Sequence, residues 1–266
     1  MKTVLFQNQQ IAYEIGGSGP ALIFIHGFPM DRRVWQNFIP AFTRDFTTIC
    51  IDLPGFGQSE QLADEHPMWL MAKVVELVLE AEQIKKVLLV GHSMGGYVAL
   101  ELARQKPERI LGLILFHSHG MPDNDASRAA RTNAIAAVDR DHTAFVDQFI
   151  EGLFDVDFVH FNPERVERIK SIALSQSALA IKAAIAGLRD RESQIALLSD
   201  IKVPVLFILG KNDNRMPFAS ILAQVALPSH AELLLLGNVG HMGFEEAAET
   251  TSQAIWHFAK RLQEKN

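Results

Sequence analysis

The sequence predicts a doubly wound, mostly parallel α/β sheet with an inserted helical cap, and three features predict it. Short, nearly all-apolar runs recur along the chain, the pattern of strands buried on both faces of a parallel sheet. Segments with apolar residues three and four apart separate most of these runs, so strands and helices alternate as right-handed crossovers require. Residues 120–200 carry helical patterns and no strand run, which marks the insertion.

In chain order, residues 3–6 and 10–15 read as an antiparallel pair, and Gly16, Gly17, Ser18, Gly19 and Pro20 supply turn chemistry before the next run. Residues 21–25, 46–51, 87–90, 110–116, 203–209 and 232–236 are the buried strands. A helix is expected over 31–42, and a second over 68–81, where Leu70, Met71, Val74, Val75, Val78 and Leu79 form one apolar face. Residues 94–104 and 244–262 complete the set. Inside the insertion, 127–138, 143–154 and 164–188 have helical spacing, with Asn162 and Pro163 as N-cap and first-turn residues. The expected division is a core of 1–119 and 201–266 around a cap of 120–200. In the competing arrangement these helices belong to the sheet's own flanking layer. Ligands of such sheets bind at the carboxyl ends of the strands, so the site should be built from strand-to-helix loops.

Composition narrows the partners. Across 266 residues, 25 Lys and Arg stand against 31 Asp and Glu, a net charge of −6, and no long basic run occurs. Nucleic acid and anionic membranes are therefore poor partners, and a small-molecule substrate is the expected one. The apolar runs fall well short of the roughly 20 residues that a membrane span needs. Residues 1–10 lack the apolar stretch of a secretory leader, so the reading is a cytoplasmic protein, with oligomeric state left open. Cys50, the single cysteine, sits in an apolar run and is read as a buried hydrophobe. No metal-ligand cluster or dinucleotide fingerprint is visible. The glycines at 16, 17 and 19 precede a strand rather than a helix, and no cofactor is expected.

The chemistry concentrates at three strand ends. Gly91-His92-Ser93-Met94-Gly95 places a G-x-S-x-G between a buried strand and a helix, where a sharp turn would lift the Ser93 hydroxyl to the crevice. A capping serine at a glycine-rich helix start is the bland reading. A serine hydroxyl needs a general base, and the base needs an orienting acid. His241, in the glycine-flanked loop before the last helix, is the base of choice. His92 is expected to steady the turn, His26 to be structural, and His66, His142, His160, His230 and His257 to be surface or packing residues. Asp213, in the loop after 203–209, is the leading acid, and Asp123 or Asp125 is the competitor. The chain order Ser, Asp, His belongs to one hydrolase architecture among the serine-triad folds.

The negative charge that develops on a carbonyl oxygen needs donors. The backbone N–H groups of Met94 and Phe28 are the expected pair, the latter in His26-Gly27-Phe28-Pro29. Asp52 to Ser59 reads as a loop brace. Phe116, His117, Phe145, Phe149, Leu153 and Met242 are candidate pocket residues, on the argument that the cap offers apolar walls. The bland reading has the cap's apolar residues packing it onto the sheet.

With these motifs in place, nearly the whole chain resembles the α/β-hydrolase fold superfamily. The resemblance rests on 26–29, 52–59, 91–96, 210–213 with Pro217, and 240–241, all in order and spacing. It implies a serine esterase-like enzyme. Serine at the elbow counts against the branches that, as the resemblance implies, use aspartate there, namely haloalkane dehalogenases and epoxide hydrolases. The expectation is hydrolysis of esters or lactones of small to medium apolar substrates through an acyl-enzyme. A C–C bond hydrolase or a cofactor-free perhydrolase with the same residues is the alternative enzyme. A hydrolase-fold small-molecule receptor is the alternative from another class.

Overall fold

The computed structural model describes residues 1–263. Eight strands form one sheet: β1 (Lys2–Phe6), β2 (Gln9–Gly17), β3 (Ala21–Ile25), β4 (Thr47–Ile51), β5 (Val87–His92), β6 (Ile110–Phe116), β7 (Val205–Gly210) and β8 (Ala231–Leu236). Their spatial order is β1-β2-β4-β3-β5-β6-β7-β8. β1 and β2 pair antiparallel, β2 joins β4 antiparallel, and the remaining pairings are parallel. β3, β5 and β7 are buried at every position, which is why they read as continuous apolar runs rather than alternating ones.

The order reverses at β3. The chain runs outward from β3 to β4, then crosses back to place β5 on the other side of β3, with Ile25 opposite Gly91. The loops leaving β3 and β5 therefore part at one crevice, the place where open α/β sheets hold ligands. Helix α1 (Met68–Ala81) packs on α2 (Met94–Gln105), which lies against β3, β5 and β6. Its close approach depends on Gly95, where a Cβ would collide with the carbonyl oxygen of Ile25.

Between β6 and β7 stand six helices: α3 (Asp125–Arg140), α4 (His142–Glu151), α5 (Val156–Phe161), α6 (Pro163–Leu174), α7 (Ala178–Arg189) and α8 (Ile195–Asp200). α3 packs on α7 and α4, and α4 on α6. After β7 come α9 (Phe218–Val225), β8, the single turn α10 (Gly243–Glu246) and α11 (Ala248–Gln263). Among the described residues no single helix is long and apolar enough to cross a membrane.

Several elements differ from expectation for local physical reasons. Residues 31–42 form two 3-10 turns, Arg32–Trp35 and Ile39–Ala41, instead of a helix. Pro40 has no N–H for the helical ladder, and Trp35, Phe38 and Phe42 all turn inward onto Phe24 with ring centroids 5.5, 6.4 and 5.2 Å away. Residues 164–188 break at Ser175–Ser177 into α6 and α7, bent 93° apart. There the Ser177 hydroxyl caps Ala180 N–H at 3.1 Å. Gln176 donates to Asp31 Oδ2 at 2.7 Å and accepts from Gly57 N–H at 2.8 Å, tying this break to two loops of the sheet. Residues 244–262 are likewise interrupted, at Ala247. The short helices α5, α8 and α9 have too few turns to show a period in the sequence.

Trp35 is fully buried, 4.6 Å from Phe244 and in contact with the Phe24 and Phe38 rings. Trp35→Ala should therefore cost about 3–5 kcal/mol of stability, the usual range for deleting a large buried ring. Urea unfolding measures this, and a loss below about 1 kcal/mol would contradict the packing described.

Candidate active site

Ser93 joins β5 to α2 with φ +52° and ψ −115°, a backbone conformation rarely adopted outside glycine. Its neighbours hold it there. Ser93 N–H donates to Phe116 O at 2.9 Å, and Ser93 O accepts from Gly96 N–H at 2.9 Å and from the Ser118 hydroxyl at 2.9 Å. A Cβ at Gly91 would press on the carbonyl of Gly95, so the turn tolerates no side chain at that position.

The loop after β7 carries Asp213 and the loop after β8 carries His241. His241 Nδ1 lies 2.8 Å from Asp213 Oδ2, and both residues are buried. Backbone bonds fix the histidine: its N–H donates to Leu153 O at 2.6 Å, and its carbonyl lies 2.8 Å from His92 Nε2. Glu246 brackets the same loop, accepting from the N–H groups of Gly240, Met242 and Asp155.

His117 is the unexpected member. It directly follows β6, with φ +48°, and its Nδ1 lies 3.0 Å from the same Asp213 Oδ2. Gly243 N–H donates to His117 Nε2 at 3.2 Å, so Nε2 is the acceptor and Nδ1 carries the proton. Burial pushes His117 below the ordinary imidazole range against the pull of Asp213, in keeping with a neutral ring. Asp213 Oδ1 accepts from the N–H groups of Arg215 and Met216, both at 2.9 Å. Burial works to raise this carboxyl's pKa, but His241 and His117 prevail and hold it well below the usual carboxylate range. It is ionised at neutral pH.

His117, Asp213 and His241 also bring ligand atoms within 4.8 Å of one another. The spacing suits a metal, but the proton assignment does not. Both Nδ1 atoms face one oxygen, and the Nδ1 of His117 has no lone pair to offer.

Ser93, His241, Phe28 and Met94 open on one cavity of about 830 Å³, which Phe145, Phe149, Ile185 and Leu188 also line. The N–H groups of Phe28 and Met94 have no acceptor among the described residues, and Phe28 packs edge-on to Phe149 at 5.2 Å. Of the sequence's pocket candidates, Phe145 and Phe149 line this cavity, whereas Phe116, His117, Leu153 and Met242 do not. Those four are buried behind it. Phe116 packs against Phe38 and Phe244, and His117 turns to Asp213. Leu153 contributes its carbonyl to His241, and Met242 contributes its N–H to Glu246.

Asp123 is bound to Arg131 and Arg191, and Asp125 starts α3 at the surface, so neither reaches His241. His26 is structural: its Nε2 accepts Leu53 N–H at 3.0 Å. The 52–59 turn is a brace, with Ser59 Oγ donating to Asp52 O and accepting from Ala12 N–H. Sequence reasoning missed the bond between His117 and Asp213. The one available signal was a histidine at the carboxyl end of an all-apolar strand.

A strand-borne serine elbow, an acid after β7 and a histidine after β8 define a class, and residues 20–248 match the model of the alpha/beta hydrolase fold. The chain belongs to that family. It is 28% identical over 272 residues to a pimeloyl-[acyl-carrier protein] methyl ester esterase of Vibrio atlanticus, covering 94% of this chain and 98% of that one. It is 30% identical over 261 residues to the dihydrolipoyllysine-residue acetyltransferase component of an acetoin cleaving system from Pseudomonas putida, covering 94% of this chain but only 66% of that protein. Among solved structures, a malate-bound thermophilic esterase from Thermogutta terrifontis superposes with a TM-score of 0.92 at 28% identity, covering 98% of this chain and 97% of that one.

Proposed function

We propose that this hydrolase of ester bonds cleaves small to medium carboxylic esters or lactones through an acyl-enzyme on Ser93. The observation that carries the reading is that Ser93, His241 and the two unpaired N–H groups of Phe28 and Met94 meet at one cavity. Ser93 Oγ attacks the acyl carbon while His241 Nε2 takes its proton. The Nδ1–H bond to Asp213 holds the ring in the tautomer that leaves Nε2 free. The N–H groups of Phe28 and Met94 receive the oxyanion as the carbonyl turns tetrahedral. His241 then gives its proton to the departing alkoxide, and a water activated by the same ring hydrolyses the acyl-enzyme. Phe28, Phe145, Phe149, Ile185 and Leu188 supply the apolar wall along which the carbon chain would lie.

The direct test is a p-nitrophenyl ester series together with a fluorophosphonate label. Burst kinetics and a mass adduct on the Ser93 peptide are expected. A fully folded protein that neither turns over nor takes the label would refute the reading.

In this reading His117 is a positioning residue. His117→Ala removes one donor from the Asp213 carboxylate and leaves the buried Gly243 N–H without its acceptor. We expect kcat to fall about tenfold, one hydrogen bond to a charged group being worth roughly 1.5–3 kcal/mol. A measurable drop in the urea midpoint should accompany it. Unchanged kcat would remove His117 from the machinery.

A further inference from the structure

Building on the acyl-enzyme reading above, we infer that the ester cleaved here carries a second, ionised acid group, and that Arg215 receives it. Four charged side chains line the cavity that holds Ser93: Asp123, Arg131, Arg191 and Arg215. The lining thus carries three guanidinium groups against one carboxylate, inside a chain whose net charge is −6.

Asp123 accounts for two of the three. Its Oδ1 accepts from Arg191 Nη1 at 2.6 Å, and its Oδ2 from Arg131 Nε at 3.1 Å. Arg191 is further committed, donating to Leu188 O and lying 4.2 Å over the Tyr97 ring. Arg215 has no ion pair and no side-chain hydrogen bond among the described residues. It rests over the Phe149 ring at 4.4 Å, a contact that steadies the guanidinium without consuming an N–H. Partial burial and the like charge of Arg131 lower its pKa against the pull of Asp213, while its exposed face leaves the guanidinium open to a ligand in the cavity.

The position is tied to the chemistry. Arg215 N–H donates to Asp213 Oδ1, so the carboxylate whose other oxygen meets His241 also fixes the backbone from which Arg215 extends. A guanidinium fork suits carboxylate and phosphate alike through paired N–H···O bonds. The shared ligand chemistry is an oxyanion set several bonds from the scissile ester, as in the half-ester of a dicarboxylic acid.

The test compares kcat/KM for monomethyl adipate and methyl hexanoate, which have equal chain length, in the wild type, Arg215→Met and Arg215→Lys. Calorimetry of monomethyl adipate with the Ser93→Ala protein, with and without Arg215→Met, reads binding apart from turnover. We expect at least a tenfold preference for the half-ester, reduced tenfold or more by Arg215→Met, reduced less by Arg215→Lys, and weakened by added salt. Methionine keeps an apolar stem over Phe149. Preference for methyl hexanoate, or an equal proportional loss on both esters, would overturn the anion site while leaving the hydrolytic reading intact. Arg215-dependent binding without any turnover would do the reverse, and neither binding nor turnover would overturn both. Inhibition by adipate against inorganic phosphate tells the two oxyanion sources apart.

Discussion

Ser93→Ala is expected to lower kcat for ester hydrolysis by about 10⁴- to 10⁶-fold, the range seen when the nucleophile of a serine hydrolase is removed. At about 1.4 kcal/mol per factor of ten, this corresponds to roughly 5–8 kcal/mol of lost transition-state stabilisation. The loss has a chemical origin: alanine removes the Oγ that would attack the acyl carbon, and the neighbouring Ser118 hydroxyl is committed to Ser93 O. Neither does it trade on stability: Ser93 is held through its backbone N–H and C=O, which alanine keeps. Far-UV circular dichroism and the urea midpoint should match the wild type closely. Residual hydrolysis above about 1% of wild type, after exclusion of contaminating esterase, would show that Ser93 does not form the acyl-enzyme.

Asp213→Asn should cost about 10⁴-fold in kcat, for a reason specific to this site. Oδ1 is claimed by the N–H groups of Arg215 and Met216, which demand an acceptor. The amide oxygen must stay there, and the NH₂ group then replaces Oδ2, facing the Nδ1 atoms of both His241 and His117. His241 can accept that N–H only by moving its own proton to Nε2, where it can no longer take one from Ser93. His117 cannot comply, since its Nε2 already accepts from Gly243 and a neutral imidazole has one proton to place. The variant should therefore show the His241 tautomer reversed in ¹⁵N spectra of the imidazole rings, with reduced stability from the frustrated His117. An unchanged tautomer with full activity would mean that Asp213 is not the orienting acid.

Much of this protein can be read locally. The strands β3, β5 and β7 announce themselves because residues buried on both faces must all be apolar. The elbow at Ser93 is equally visible, since a turn that sharp between strand and helix needs Gly91 and Gly95 at fixed offsets from the serine. The order Ser93, Asp213, His241 follows from which loops leave strand ends. By contrast, the place of 31–42 between two strands points to a covering helix, whereas Pro40 and three inward aromatic rings make two 3-10 turns instead. The break at Ser175–Ser177 depends on partners more than a hundred residues away, Asp31 and Gly57.

The pocket candidates show the boundary best. Apolar character at 116, 153 and 242 says that these side chains will be buried, and it is silent on whether they face a cavity or a core. That depends on how β6, α4 and the loop after β8 come together, as does the meeting of His117 with Asp213, 96 positions apart in the chain. Sequence by itself determined the buried central strands, the elbow and the candidate serine, acid and base, because each follows from local burial patterns and backbone sterics. Only the tertiary structure decided which polar groups share a partner and which remain unpaired, as Arg215 does. Hydrogen bonds and ion pairs act over about 3 Å between residues that chain topology alone brings together.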